Sequence, residues 1–364
     1  MTSIVYLAHH HSSIMWHCGV FGALPFLAPL ACTTQALDHR VVVYYQTTHY
    51  NSSATSDVSL LPLVKDQAHV AATHVLISAI HIVDEDGGIR LNDHAPDNEI
   101  FDHVWSDAAH LQAAGVTVMA MVGGAAPGSW DRLDGDDAQF EHYYKPLHDF
   151  IGNYNIEGLD LDVEQSMSLD GIIRLIDRLK KDFGDDFVIS LAPVGSALTK
   201  GGGNLSGFDY FELEAQRGDK IAFYNAQFYF GWGDPSSAAD YEDIIDDGFR
   251  ADKVVMGLLT NPANGNGYVS LDKQAPVLEE LVSENPTFGG VAGWEYFNSL
   301  PGGDKAPEEW ATWMGEHITP TQLDASGHPQ AREISPIESV HRAMRKSYRQ
   351  VRGFGKRMYR NYIA

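Results

Sequence analysis

The run Ile156-Glu157-Gly158-Leu159-Asp160-Leu161-Asp162-Val163 (IEGLDLDV, 156–163) alternates apolar and acidic residues with a period of two, which is the pattern of a β-strand. Seven further β-rich runs surround it: RVVVYYQ (40–46), HVLISAIHI (74–82), VTVMAMV (116–122), FVISLAP (187–193), IAFYNAQFY (221–229), KVVMGLLT (253–260) and GGVAGWEYF (289–297). Most are nearly continuously apolar, as parallel strands covered on both faces are. Helical patterns lie between them. In GIIRLIDRLKKDF (171–183), Ile172, Leu175, Ile176 and Leu179 share one face and charges occupy the other. Eight strand–helix units predict a single-domain α/β fold, a (β/α)8 TIM barrel over residues 38–318. An open doubly wound sheet normally needs fewer strands or a second domain.

The two ends read differently from this body. Residues 14–32, IMWHCGVFGALPFLAPLAC, form an apolar run broken by Pro25 and Pro29 and followed by small residues up to Ala36. It resembles a secretory signal segment more than a membrane span, so residues 1–36 are expected to be a signal peptide and the protein to be secreted. Met1 to Ser13 carries no Lys or Arg, and a start at Met15 gives a more ordinary signal length; the alternative is a buried or disordered leader. Cys18 and Cys32, the only cysteines, both lie there, which excludes a disulfide framework or a four-thiolate zinc site in the body. His9–His11 invites a metal reading that its place in a removable leader disfavours. At the other end, residues 319–336 are polar and Pro-punctuated, a linker to a tail. Residues 340–364 hold eight Lys or Arg and no acid, with Val340, Met344, Tyr348 and Val351 at helical spacing. A solvated or disordered tail is the expected reading, and weak membrane-surface contact the other.

The chain of 364 residues carries 49 Asp and Glu against 25 Lys and Arg, a formal charge of −24. Removing the tail's +8 leaves −32 on residues 1–339. Such a field repels phosphate backbones, so nucleic acid is not an expected partner, and a monomer is expected.

In a barrel, chemistry sits at the C-terminal ends of the strands, and the most polar end is that of strand four. Asp160, Asp162 and Glu164 are two residues apart and therefore share a face, opposite Leu159, Leu161 and Val163. With the aliphatic side chains under helices, the acids face the interior. Three stacked carboxylates resist joint ionisation, so at least one is expected to stay protonated near neutral pH. A protonated acid beside an ionised one suits cleavage of a glycosidic bond. An acidic loop does not explain the strict alternation, and a hard-cation site normally gathers ligands from several segments.

Leu159-Asp160-Leu161-Asp162-Val163-Glu164 resembles the D-G-x-D-x-D-x-E signature of glycoside hydrolase family eighteen, which includes chitinases and endo-β-N-acetylglucosaminidases. The likeness runs through MVGGAAPGS (121–129), EGLDLDVEQSMS (157–168), SLAPV (190–194), NLSGF (204–208), YNAQFY (224–229) and GWEYFNSLPGG (293–303), which are most similar to the fungal endo-β-N-acetylglucosaminidases acting on N-glycans. The resemblance implies a retaining, substrate-assisted hydrolysis without metal or organic cofactor. It makes Glu164 the general acid and base, Asp162 the group that orients the substrate's acetamide, and Asp160 a deeper carboxylate sharing a proton with Asp162. Tyr229 corresponds to the tyrosine that donates to the acetamido carbonyl, and Trp294 to the hydrophobic floor under the sugar. Gln227 faces the same interior; Trp232, Tyr296, Phe297 and Asn298, just beyond strand ends, are candidate sugar contacts, and Gly123 and Gly124 permit close backbone approach to substrate.

Three positions depart from the family pattern: Glu157 replaces its first Asp, Val163 an aromatic, and Met121-Val122-Gly123-Gly124 lacks the serine of S-x-G-G. They bear on chitinase-like substrate preference more than on activity. The expected substrate is the chitobiose core of N-linked glycans; chitin or its oligomers is the alternative. An inactive, lectin-like barrel is the third reading, and the presence of Glu164 argues against it. Asn51-Ser52-Ser53 and Asn204-Leu205-Ser206 are glycosylation sequons that fit secretion.

Overall fold

Alternating faces along each apolar run dictate a two-layered core, one layer inside a closed sheet and one between sheet and helices. The computed structural model describes residues 39–50, 56–66, 69–84 and 88–319. The expected leader, His9–His11, the Asn51 sequon, and the linker and basic tail beyond residue 319 lie outside the described residues. Eight parallel strands form the barrel: β1 (Arg40–Tyr45), β2 (His74–Ile82), β3 (Thr117–Gly123), β4 (Gly158–Asp162), β5 (Val188–Leu191), β6 (Phe223–Gln227), β7 (Val254–Leu259) and β8 (Gly290–Trp294). Each pairs with its neighbours in sequence order, and β1 closes the ring by pairing with both β2 and β8. The fold is a (β/α)8 TIM barrel.

The helices follow their strands: α1 (Asp102–Ala113), α2 (Ser129–Leu133), α3 (Asp137–Asn153), α4 (Leu169–Phe183), α5 (Tyr210–Arg217), α6 (Ala239–Asp247), α7 (Leu271–Glu284) and α8 (Glu308–Ile318). Helix α4 illustrates why. The Ser168 side chain caps its N-terminus by accepting from the Gly171 amide at 3.0 Å, and Gly184, at φ +88°, ends it. The predicted face of Ile172, Leu175, Ile176 and Leu179 is fully buried against the sheet. Each such side chain is worth about 1.5–3 kcal/mol of transfer free energy.

Val41, Val43 and Tyr45 of β1 point outward into this helix-covered layer, while Val42 and Tyr44 point inward with Leu76, Met119, Met121, Phe223, Val255 and Ala292. Several strands stop short of the runs that predicted them; β4 ends at Asp162 and β6 at Gln227. Just past those ends, Val163 and Phe228 still pack in the outer core. The sequence reading lacked three short strands: Ile89–Leu91 adds an antiparallel strand beside the end of β2, and Val64–Asp66 pairs antiparallel with His69–Val70.

Candidate active site

Closure of the barrel gives each acid of β4 a different environment. Asp160, opposite Met121 of β3 and Ser190 of β5, is fully buried at the floor. Three donors reach it: Tyr44 Oη to Oδ2 at 2.7 Å, and Ser190 Oγ and Asn225 Nδ2 to Oδ1 at 2.6 and 3.0 Å. Burial raises its pKa and the three donors pull it back. Asp160 lies two residues from Asp162 on the same face of β4. It acts on Asp162 through charge.

Asp162 stands one pleat higher, opposite Gly123. Its Oδ1 accepts from Gln227 Nε2 at 3.2 Å, and the same amide nitrogen donates to Glu164 Oε1 at 3.2 Å and to the Ala192 carbonyl at 3.0 Å. Gln227 thus bridges the two upper carboxylates. Burial, and then the charges of Glu164 and Asp160, hold Asp162 well above the usual carboxylate range. Glu164 is half-buried, beyond the strand end. Tyr229, two residues past β6, is buried beside them; burial followed by the charges of Asp162, Glu164 and Asp160 raises its pKa, so the phenol keeps its proton. Trp294 closes β8 and packs edge-on against Tyr44, ring centroids 5.4 Å apart, as a half-buried lid on the interior cluster.

The other expected contacts each pack or hydrogen-bond within the protein. Tyr296 is buried in the outer core, edge-on to Tyr45, with its hydroxyl donating to the Ser59 carbonyl at 3.1 Å; it does not face the mouth. A 3₁₀ turn over Tyr296–Asn298 ends the strand alternation there. Asn298 exchanges amide hydrogen bonds with Asn264 at 2.7 and 3.0 Å, and Phe297 packs on the outer core. Trp232 is half-buried against the same core. Gly123 (φ +98°) and Gly124 (φ +83°) serve close approach, but to the chain itself. A Cβ on Gly123 would lie 2.4 Å from the Asp162 carbonyl oxygen, which accepts from the Gly124 amide and from Trp130 Nε1, both at 2.9 Å. Asn204 is exposed in a turn, its Oδ1 accepting from the Ser206 amide at 2.8 Å.

The sequence reading singled out neither Tyr44, Ser190 and Asn225, which hold Asp160, nor Glu295. The buried Glu295 carboxylate accepts from the Gln46 amide (3.1 Å), the Thr47 amide (2.7 Å) and the Thr47 hydroxyl (2.9 Å), tying the segment after β1 to the end of β8 beside Trp294. On the same face, a cavity of about 620 Å³ lies over the ends of β1 to β3, lined by polar residues including Gln46, Thr47, His81 and Asn92.

A parallel barrel with paired carboxylates at the C-terminal end of a strand is an architecture of glycosidic-bond hydrolysis. The chain belongs to glycosyl hydrolases family 18, whose sequence profile matches residues 40–310, and is a chitinase-like glycoside hydrolase. It is 52% identical to the solved chitinase ChiC of Aspergillus fumigatus, covering 77% of this chain and 99% of that one, with a TM-score of 0.69. It is 48% identical to a solved fungal endo-β-N-acetylglucosaminidase of family 18, covering 78% of this chain and 99% of that one, with a TM-score of 0.73. Chitinase 1 of Rhizopus niveus is 25% identical over 219 residues, 53% of this chain and 39% of the relative, so the chain spans about two fifths of that relative's length.

Proposed function

We propose that the protein is a retaining endo-glycosidase that hydrolyses the β-1,4 bond between two N-acetylglucosamines by substrate-assisted catalysis, acting on the chitobiose core of N-linked glycans. The observation that carries the chemistry is the Gln227 amide shared between Asp162 and Glu164. Two carboxylates that share one donor, one of them buried, hold one negative charge between them more easily than two. The raised pKa of Asp162 keeps one proton in the pair; as the sugar binds, that proton passes to Glu164, and Asp162 becomes the anion that accepts the acetamido N–H. That aims the acetamido oxygen at the anomeric carbon. Glu164 then passes its proton to the leaving oxygen as the acetamide closes an oxazolinium ring, and recovers a proton from the water that opens it. Two displacements at one carbon retain its configuration. The Tyr229 phenol, kept protonated, donates to the acetamido oxygen, and the Trp294 indole covers the apolar face of the sugar. Asp160 and Glu295 position the machinery.

The N-glycan reading is supported by the 48% identity to a fungal endo-β-N-acetylglucosaminidase. The second reading, a chitinase, is favoured by the 52% identity to a structure named chitinase. Both use the same residues, so substrate decides. The test incubates purified protein with a high-mannose glycoprotein and, separately, with chitin oligomers. Release of glycan leaving one N-acetylglucosamine on the protein is the expected result; cleavage of chitin oligomers alone selects the second reading. Secretion, read from residues 1–36, belongs to the same proposal, since glycoprotein and chitin are both extracellular substrates.

A further inference from the structure

A second convergence of polar side chains lies outside the acid row, where the chain leaves β1. His49 and Asp57 face each other across an antiparallel bridge, and His103 comes from the first turn of α1. His49 Nε2 stands 3.4 Å from Asp57 Oδ1 and His103 Nδ1 stands 3.9 Å from the same oxygen. One ligand atom from each of the three residues falls within 4.8 Å of the others.

The outer nitrogens fix what these atoms present. The Tyr45 hydroxyl donates to the Val58 carbonyl at 2.5 Å, so toward His103 Nε2, 3.2 Å away, its oxygen accepts. The Thr48 carbonyl, also 3.2 Å from that nitrogen, accepts as well. His103 Nε2 therefore carries the ring proton and Nδ1 turns a lone pair toward Asp57. The Thr48 hydroxyl lies 2.9 Å from His49 Nδ1, which holds that ring from the outer side. His49 Nε2 is buried with no hydrogen-bond partner, although a carboxylate oxygen is 3.4 Å away. With the His49 proton on Nδ1, the cluster consists of three acceptors facing one another with no proton between them. That is an arrangement a cation resolves.

We propose that His49 Nε2, His103 Nδ1 and an Asp57 carboxylate oxygen bind a divalent cation of the zinc class. Tetrahedral zinc with bonds of about 2.0–2.1 Å sets its ligand atoms about 3.3 Å apart; His49 and Asp57 stand at 3.4 Å, His103 and Asp57 at 3.9 Å and all three atoms within 4.8 Å, so binding draws the ligands together. Two imidazoles and one carboxylate favour zinc over magnesium or calcium, which prefer oxygen. The outer bonds from Thr48 and Tyr45 are the orienting shell such ligands use, and the fourth position is left for water. The cation joins the segment after β1 to α1 and so steadies Gln46–His49, one wall of the cavity over the ends of β1 to β3. No cysteine follows Cys32, so no disulfide within the barrel does this work.

The test strips the full chain with chelator, dialyses it against zinc chloride and counts bound zinc, in parallel with a His49→Gln/His103→Gln double variant. His9–His11 is common to both, so the difference is read. One fewer zinc per chain in the double variant is expected. At a hundredfold excess of zinc over its Kd, the wild-type unfolding temperature is expected to rise by about 5 °C, with no such rise in the double variant. Equal zinc counts in two folded proteins, or no zinc-dependent rise in the wild type, would overturn the proposal. If circular dichroism shows the double variant unfolded, Asp57→Asn, with a partly exposed side chain, takes its place under the same criteria.

Discussion

The floor and the mouth of the barrel hold carboxylates two residues apart on one strand, yet they are built for different purposes. At the floor, Asp160 receives donors from β1, β5 and β6, so both oxygens are held in place. At the mouth, Asp162 and Glu164 receive one shared amide, from Gln227. A carboxylate surrounded by donors is fixed in place, whereas a pair sharing one donor keeps lone pairs open to substrate and can trade a proton. Substitutions that remove charge without changing shape should therefore separate the two levels.

The largest effect is expected from Glu164→Gln, which keeps the Gln227 contact but cannot deliver a proton: turnover should fall by about 10²–10⁴-fold, with the unfolding transition unchanged. Wild-type turnover in this variant would end the assignment. Next is Asp160→Asn, which turns an amide donor toward the donors now filling that pocket. Denaturant unfolding should register a loss of about 1–3 kcal/mol, and a neutral outcome would mean that the floor tolerates an amide and that the contrast with the mouth is overstated.

The smallest effect is in pH dependence. The folded pKa of Asp162 lies above its unfolded value of about 4, so its stabilising contribution is complete below that value and is lost as pH rises through the folded pKa. Wild type should therefore lose stability relative to Asp162→Asn as pH climbs from about 4 to 8. Urea unfolding at a series of pH values checks this, and a constant difference would place the ionisation of Asp162 elsewhere.

The barrel was legible because most strands are nearly continuous apolar runs and β4 declares its two faces through Leu159, Asp160, Leu161 and Asp162. The resemblance placed Tyr229 on the interior, and alternation placed Gln227 beside it. Tyr296, expected near the sugar because it lies at a strand end, is in the outer core, since the 3₁₀ turn there ends the extended chain. The partners of Asp160 were hidden for another reason: Ser190, Asn225 and Tyr44 lie 30, 65 and 116 positions away, and only closure of the ring brings them to one carboxylate. His49, Asp57 and His103 carry no recognisable spacing either. Their convergence depends on the path of one loop over α1.

The most direct measurement compares two substrates identical except that, in one, the sugar attacked at its anomeric carbon bears a free amine in place of its acetamide. If that acetamide is the nucleophile that Asp162 aims and Glu164 assists, the deacetylated substrate should show no measurable turnover while still binding. Cleavage of both at similar rates would contradict the account.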